Sequence, residues 1–147
     1  MEKKEKLAIV RIRGRRKIDP LIKRVLDHLR LIRVNHCIIV DDSPAYRGAI
    51  QKIKDYVTFG TVTEETIYHL LLKRGEKGSM LLKKIKKEAE IKHIAQEITS
   101  GKKLSEFIDP VFRLHGPSGG HKDIKLPYPQ GSLGKRDDMD KLLGRMM

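Results

Sequence analysis

The first 62 residues predict a mixed domain of strands and helices in the order β-α-β-α-β. Three observations carry that reading. Short β-branched runs alternate with segments that have one apolar stripe, and the first two strands are each followed by a turn with a helix-starting proline, Asp19-Pro20 and Ser43-Pro44. At 147 residues the chain fits one domain, or one compact domain with an elaborated tail.

Lys6 to Arg13, KLAIVRIR, places Val10 and Ile12 on one face and Arg11 and Arg13 on the other, which predicts a strand covered on one side. Gly14 ends it, and Arg15, Arg16 and Lys17 form a basic loop. Asp19 then supplies a helix cap and Pro20 the first helical position. Leu21, Ile22, Val25, Leu26 and Leu29 form one stripe, leaving Lys23, Arg24, Asp27 and Arg30 outward. Asn35 to Val40 reads as a second strand. Ala45, Ala49, Ile50 and Ile53 give the next helix its buried side, and Val57 to Val62 reads as a third strand with Gly60 as a candidate bulge. A third helix starts at Thr63, with Glu64 and Glu65 at its positive end and Lys73 and Arg74 before Gly75. Met80 to Ser100 divides into two helical pieces around a Lys/Glu-rich middle. From Leu114 to Gly134 glycine, proline and basic residues replace periodicity, which predicts extended chain, flexible or ordered only against a partner.

Lysine and arginine number 32 against 19 acidic residues, a formal charge of +13 that favours a polyanionic partner. The charge is clustered. Arg11 to Arg33 holds nine basic and two acidic residues, Lys73 to Lys92 eight and three, and Lys102 to Arg136 seven and three, whereas Asp41 to Leu72 holds three and five. A single cysteine, Cys37, allows no internal disulfide and sits in an apolar run, so it reads as a buried small hydrophobe in a reducing cytosol. No run approaches the roughly 18 apolar residues of a membrane span, and the charged start lacks a signal peptide's apolar stretch, so a soluble intracellular protein is expected.

Asp41 and Asp42 close the second strand. They read better as helix-start punctuation, with Ser43 as cap, than as a metal or catalytic pair, because Mg²⁺ sites usually add further carboxylates or a substrate phosphate and no third acid is near in sequence. Arg47 and Gly48 leave two readings open. A glycine inside a helix costs about 1 kcal/mol against alanine. Either an RNA backbone approaches there while Arg47 forks its phosphate oxygens, or the glycine packs on protein and the arginine is solvated. GPSGGHK, Gly116 to Lys122, lacks the Walker spacing and its Lys-Ser/Thr pair. The histidines and Cys37 show no metal-ligand spacing, no serine sits in a nucleophile elbow, and the few aromatics form no base-stacking motif. Phosphate contacts and shape are expected to dominate recognition.

The stretch DSPAYRGAI, Asp42 to Ile50, preceded by a basic βα unit and the strand HCIIV, resembles the large-subunit ribosomal protein family numbered thirty. The C-terminal sequence VFRLHGPSGGHKDIKLPYPQGSLGKRDDMDKLLGRMM is similar to the end of that family's long archaeal and eukaryotic form, known as protein seven in eukaryotes. The resemblance covers essentially the whole chain. It implies an α+β fold, loosely ferredoxin-like, with a small three-stranded, mainly antiparallel sheet backed by helices, and a short final helix. The element order alone predicts parallel pairing, since helical crossovers usually join parallel strands.

The organisation expected is a core over residues 1–62, a helical extension over 63–113, and a basic Gly/Pro-rich tail with a short terminal helix over 114–147. The resemblance further implies a non-enzymatic constituent of the large subunit in the cytoplasm. Its partners would be the large rRNA, close to the 5S rRNA, and neighbouring ribosomal proteins, with no cofactor, membrane or small-molecule substrate. Arg11, Arg13, Arg15, Arg16, Lys17, Arg47, Lys52, Arg113, Lys122 and Lys125 are the candidate RNA-binding residues. A free RNA chaperone or regulator is the alternative, and a Mg²⁺-dependent phosphohydrolase built on Asp41 and Asp42 a more distant one.

Overall fold

The β-α-β-α-β order is realised as β1 (Lys6–Arg11), α1 (Pro20–His28), β2 (His36–Asp41), α2 (Pro44–Ile53) and β3 (Val57–Val62) in a computed structural model. The structure describes residues 6–14, 16–78, 80–101, 111–121, 126–128, 130–131, 133–136 and 138–147. After β3 come α3 (Glu64–Arg74), β4 (Glu76–Lys77), β5 (Met80–Leu81), α4 (Leu82–Ile85), α5 (Glu88–Thr99), β6 (Phe112–Arg113), β7 (Gly134–Lys135) and α6 (Met139–Met146). The helix starts follow from local chemistry. Asp19, Ser43 and Thr63 each accept a hydrogen bond from a backbone N–H of the first turn, at Leu21, Tyr46 and Thr66, and Pro20 and Pro44 open their helices. The segment from Met80 divides into α4 and α5, as its interrupted periodicity predicts.

The sheet has the order β6-β2-β1-β3-β7, with β1 antiparallel to both neighbours, β6 antiparallel to β2, and β7 parallel to β3. The class is α+β. The parallel pairing that element order suggests is therefore overturned in the centre of the sheet. Asn35 N–H donates to the Arg11 carbonyl at 2.8 Å, and Arg11 Nη1 donates to the carbonyls of Leu31 at 2.6 Å and Ile32 at 3.0 Å. These contacts return the chain to the end of β1, so β2 starts there and runs the opposite way. α2 does connect two parallel strands, β2 and β3, but β1 lies between them.

β1 is buried along its whole length rather than covered on one side. Leu7 and Ile9 pack with Ile38, Val57 and residues of α1 and α2, while Ala8 and Val10 pack with Cys37, Ile39 and residues of α3, α5 and α6. In α1 the stripe is narrower than its sequence suggests: Leu26 is buried, but Leu21 is 68% exposed. Gly60 makes no bulge, because the register runs unbroken from Lys6↔Val62 to Arg11↔Val57. A Cβ on Gly60 would lie 2.6 Å from the Arg136 carbonyl, so the glycine admits the returning chain.

That return brings the last third of the sequence into the same core. Phe112, Leu114, Met139, Leu142, Leu143 and Met146 are buried with α3 and α5. Asp140 accepts from Thr66 Oγ1 at 2.6 Å and from Thr63 N–H at 3.2 Å, fastening α6 to the start of α3. His115 N–H and Ser118 N–H donate to the carbonyls of Met146 and Arg145. The described part of the expected tail is thus docked on the domain, with Leu114 and Leu133 buried. Among the described residues no helix is long and apolar enough to cross a membrane.

Candidate nucleic-acid interface

Because α1 and α2 are successive helices on one face of the sheet, a groove runs between them. Its floor is Val25, Leu29 and Ala49, and its sides carry Arg24 and His28 from α1 and Pro44 and Lys52 from α2. Arg24 and His28 are four residues apart, hence on one helical face. Gly48 lines the same groove, and a Cβ there would meet nothing within 4 Å. Packing against protein is therefore not what selects this glycine. It leaves an uncovered patch of helix backbone between cations.

The two aspartates have separate partners. Asp41 pairs with the buried Lys6 ammonium, and both carboxylate oxygens of Asp42 accept from Arg47 Nε and Nη2. Those hydrogen bonds hold the Asp42 carboxyl below the usual carboxylate range, with the charges of Arg47 and Lys135 acting in the same direction. Asp42 thus serves the arginine, while Ser43 provides the cap. The Arg47 side chain is 68% exposed, and with Lys135 and Arg136 it borders a cleft between α2 and β3. No group of three or more His, Cys, Asp or Glu residues is placed to hold a metal among the described residues.

The other candidates are distributed as follows. Arg11 is 2% exposed and its guanidinium is engaged by carbonyls of Arg13, Leu31 and Ile32, so the structure corrects its expected role from an outward phosphate ligand to an internal link. Arg13 stacks on Tyr56 with its guanidinium carbon 5.2 Å from the ring centroid. Arg16 and Lys17 are exposed in the loop after β1, Lys17 with a left-handed φ of 54° that is uncommon for a lysine. Lys52 is exposed on α2. Arg113, on β6 at the far edge of the sheet, pairs with Glu76. Arg15, Lys122 and Lys125 lie outside the described residues. The structure adds Arg24, His28 and Lys135, which were not among the candidates, whereas Arg136 at the same cleft as Lys135 is buried and paired with Asp138. Arg24 and His28 had a sequence signal in their outward i, i+4 spacing, whereas Lys135 had none, because only the β3–β7 pairing brings it beside Arg47.

Residues 7–57, from β1 to the start of β3 and including both groove helices, match the family model described as Ribosomal protein L30p/L7e. A protein called Large ribosomal subunit protein uL30 from Methanocella arvoryzae is 40% identical over 133 residues, covering 84% of this chain and 87% of its own length. The chain belongs to the L30p/L7e family. Further L30p/L7e relatives with the same name come from Archaeoglobus fulgidus, 39% identical over 149 residues, and Methanococcus maripaludis, 38% identical over 151. Each of these matches covers 95% of this chain and 98% of the relative. The likeness to these L30p/L7e proteins therefore extends well beyond the family-model match, through α3 to α6.

Proposed function

We propose that this chain is a structural constituent of the large ribosomal subunit, in the cytoplasm, and binds rRNA chiefly through its sugar-phosphate backbone. Gly48, open between Arg24 and Lys52, carries the proposal. A nucleic-acid backbone needs close approach and flanking cations, and the groove offers both. Arg47 adds a planar fork already oriented by Asp42, and Arg13, Arg16 and Lys17 extend the positive surface beyond β1. Each phosphate neutralised releases condensed counterions, so affinity would come from many modest contacts and respond steeply to salt. Base-edge reading has little to work with, since phosphate contacts position without specifying sequence.

The reading involves no catalysis. Asp41 and Asp42 are engaged by Lys6 and Arg47, which argues against their use as a metal-dependent hydrolytic pair. Proximity to the 5S rRNA and contacts with neighbouring ribosomal proteins are part of the proposal and rest on the family resemblance. The decisive variant is Gly48→Ala. Open space at the site means the helix should gain about 1 kcal/mol from the better helix former, while rRNA-fragment affinity falls because the added methyl stands where the backbone would approach. Denaturant unfolding and binding titration measure the two effects. Unchanged affinity in the stabilised variant would remove the groove from the interface.

A further inference from the structure

On the opposite side of the sheet from the α1–α2 groove, β4 and β5 form a two-stranded ribbon leading directly into α4. Buried Leu82 anchors it, and Leu82 N–H donates to the Gly75 carbonyl at 2.8 Å. The segment exposes three large apolar side chains, with Met80 at 55%, Leu81 at 38% and Ile85 at 44% accessibility. Met80 and Leu81 are adjacent in β5 and point to opposite sides of the ribbon, and Ile85 lies four residues beyond Leu81. Apolar surface on both sides makes a wedge rather than a flat patch. Between Lys77 and Lys87 there are five lysines, Lys77, Lys83, Lys84, Lys86 and Lys87, and no acidic residue. None of the five forms an ion pair among the described residues. The one acid on the ribbon, Glu76, is taken by Arg113.

We infer that the β4–β5 ribbon and α4 form a second RNA-docking surface, inserting Met80 and Leu81 into the wide, shallow minor groove of an RNA helix while the lysines reach its flanking phosphates. The inference rests on the ribosomal reading and extends it from one face of the molecule to two. Charge complementarity identifies the occupant as a polyanion. The projecting shape selects a groove over a flat surface, and apolar wedges of this kind engage the minor groove of DNA, while an RNA helix offers a wide minor groove recognised by shape and phosphate contacts. With docking surfaces on both sides of the sheet, the protein would join two RNA segments.

Two measurements test this. A photo-reactive amino acid at position 80, in chain assembled into large subunits, should crosslink to rRNA. Crosslinking to protein would overturn the inference in favour of an acidic protein segment. In solution, the full chain is titrated with a mixed-sequence RNA duplex of about 16 base pairs over a range of salt. Lys83→Gln/Lys84→Gln should reduce the slope of log affinity against log salt by about 0.7 to 0.9 per lysine. Met80→Ser/Leu81→Ser should weaken binding several-fold with the slope unchanged. Lys52→Gln reports on the α1–α2 groove independently. If both ribbon variants bind as wild type while Lys52→Gln is weakened, the ribbon inference fails alone. If the wild-type chain binds neither the duplex nor rRNA fragments, the ribosomal reading fails with it.

Discussion

The two faces of the sheet are built to different depths. On one side two helices close in sequence pack on the sheet in a cluster of nine buried residues among those described, and leave a groove open between them. On the other, α3, α4, α5, α6 and β6 contribute to a cluster of eighteen, drawn from Ala8 to Met146. The thin face carries the open groove and the thick face most of the apolar burial that keeps that groove in place. Helix backbone and cations left open along the groove cannot also be buried, so most of the apolar support lies on the other side of the sheet.

The largest effects should come from the cores. Leu26→Ala in α1 and Leu143→Ala in α6 each empty a fully buried site, and each should cost about 2–5 kcal/mol in denaturant unfolding. Their RNA binding should differ. Leu26→Ala disturbs a groove helix and should weaken affinity, whereas folded Leu143→Ala should bind normally. A cost for Leu143→Ala within the range of a surface change, about 0.5 kcal/mol, would mean that α6 is an accessory rather than part of the thick face.

Next in size is the contrast between glycines. Gly60→Ala forces a methyl against the Arg136 carbonyl and should destabilise by about 1–3 kcal/mol, opposite in sign to the gain expected at Gly48. Equal effects at the two positions would erase the distinction between a glycine that admits protein and one left open.

A smaller effect should appear with acid. Burial, followed by the charges of Arg136 and Arg145, lowers the His121 pKa; burial, followed by Arg113, Arg33 and Arg11, lowers that of His36. The unfolded chain therefore takes up these protons first as pH falls. The stability their neutral forms contribute is complete above the ordinary value of 6.5 and declines as pH drops from there toward the lowered folded values. Unfolding midpoints measured from about pH 7 to 5 should decline, and His121→Gln should flatten part of that slope. An unchanged slope in the variant would show that His121 does not contribute.

The smallest change is expected at the Asp42–Arg47 pair. Asp42→Asn should leave the fold intact and RNA bound, while removing a weak stabilisation that is present above the carboxylate range and lost as pH falls through the lowered Asp42 pKa. Arg47→Ala should instead weaken RNA binding and reduce the salt slope by about 0.7 to 0.9. Identical salt slopes for the wild type and Arg47→Ala would take Arg47 out of the interface.

Features determined by neighbours in sequence were readable in advance. The caps at Asp19, Ser43 and Thr63 and the proline starts depend on residues within one turn, and all are present. Strand pairing was not readable from element order, because it depends on the contacts of Arg11 and Asn35 with a distant loop, and the antiparallel centre was expected only through the family resemblance. Arg11 itself alternates with Ile12 as an outward residue would, and nothing in its spacing announces that three carbonyls receive it. The docking of the last helix did leave a trace: Met139, Leu142, Leu143 and Met146 follow an i, i+3, i+4, i+7 pattern, enough for a core-facing helix. At the interface, the excess of cations was visible, but the groove that selects among them required the packing of α1 beside α2.

The parallel contact of β7 with β3 also bears on the order in which the molecule can be made. Thr58 Oγ1 donates to the Gly134 carbonyl across 76 positions, and Thr66 reaches Asp140 across 74. At about 5–20 residues per second, synthesis of that interval takes about 4–15 s. During this time α1 and α2 can already close over their side of the sheet, while Ala8, Val10, Cys37 and Ile39 wait for the last helix. A nascent chain halted before Met139 would carry a finished α1–α2 groove on a sheet with one oily side incompletely covered, a species suited to capture by chaperones and prone to self-association.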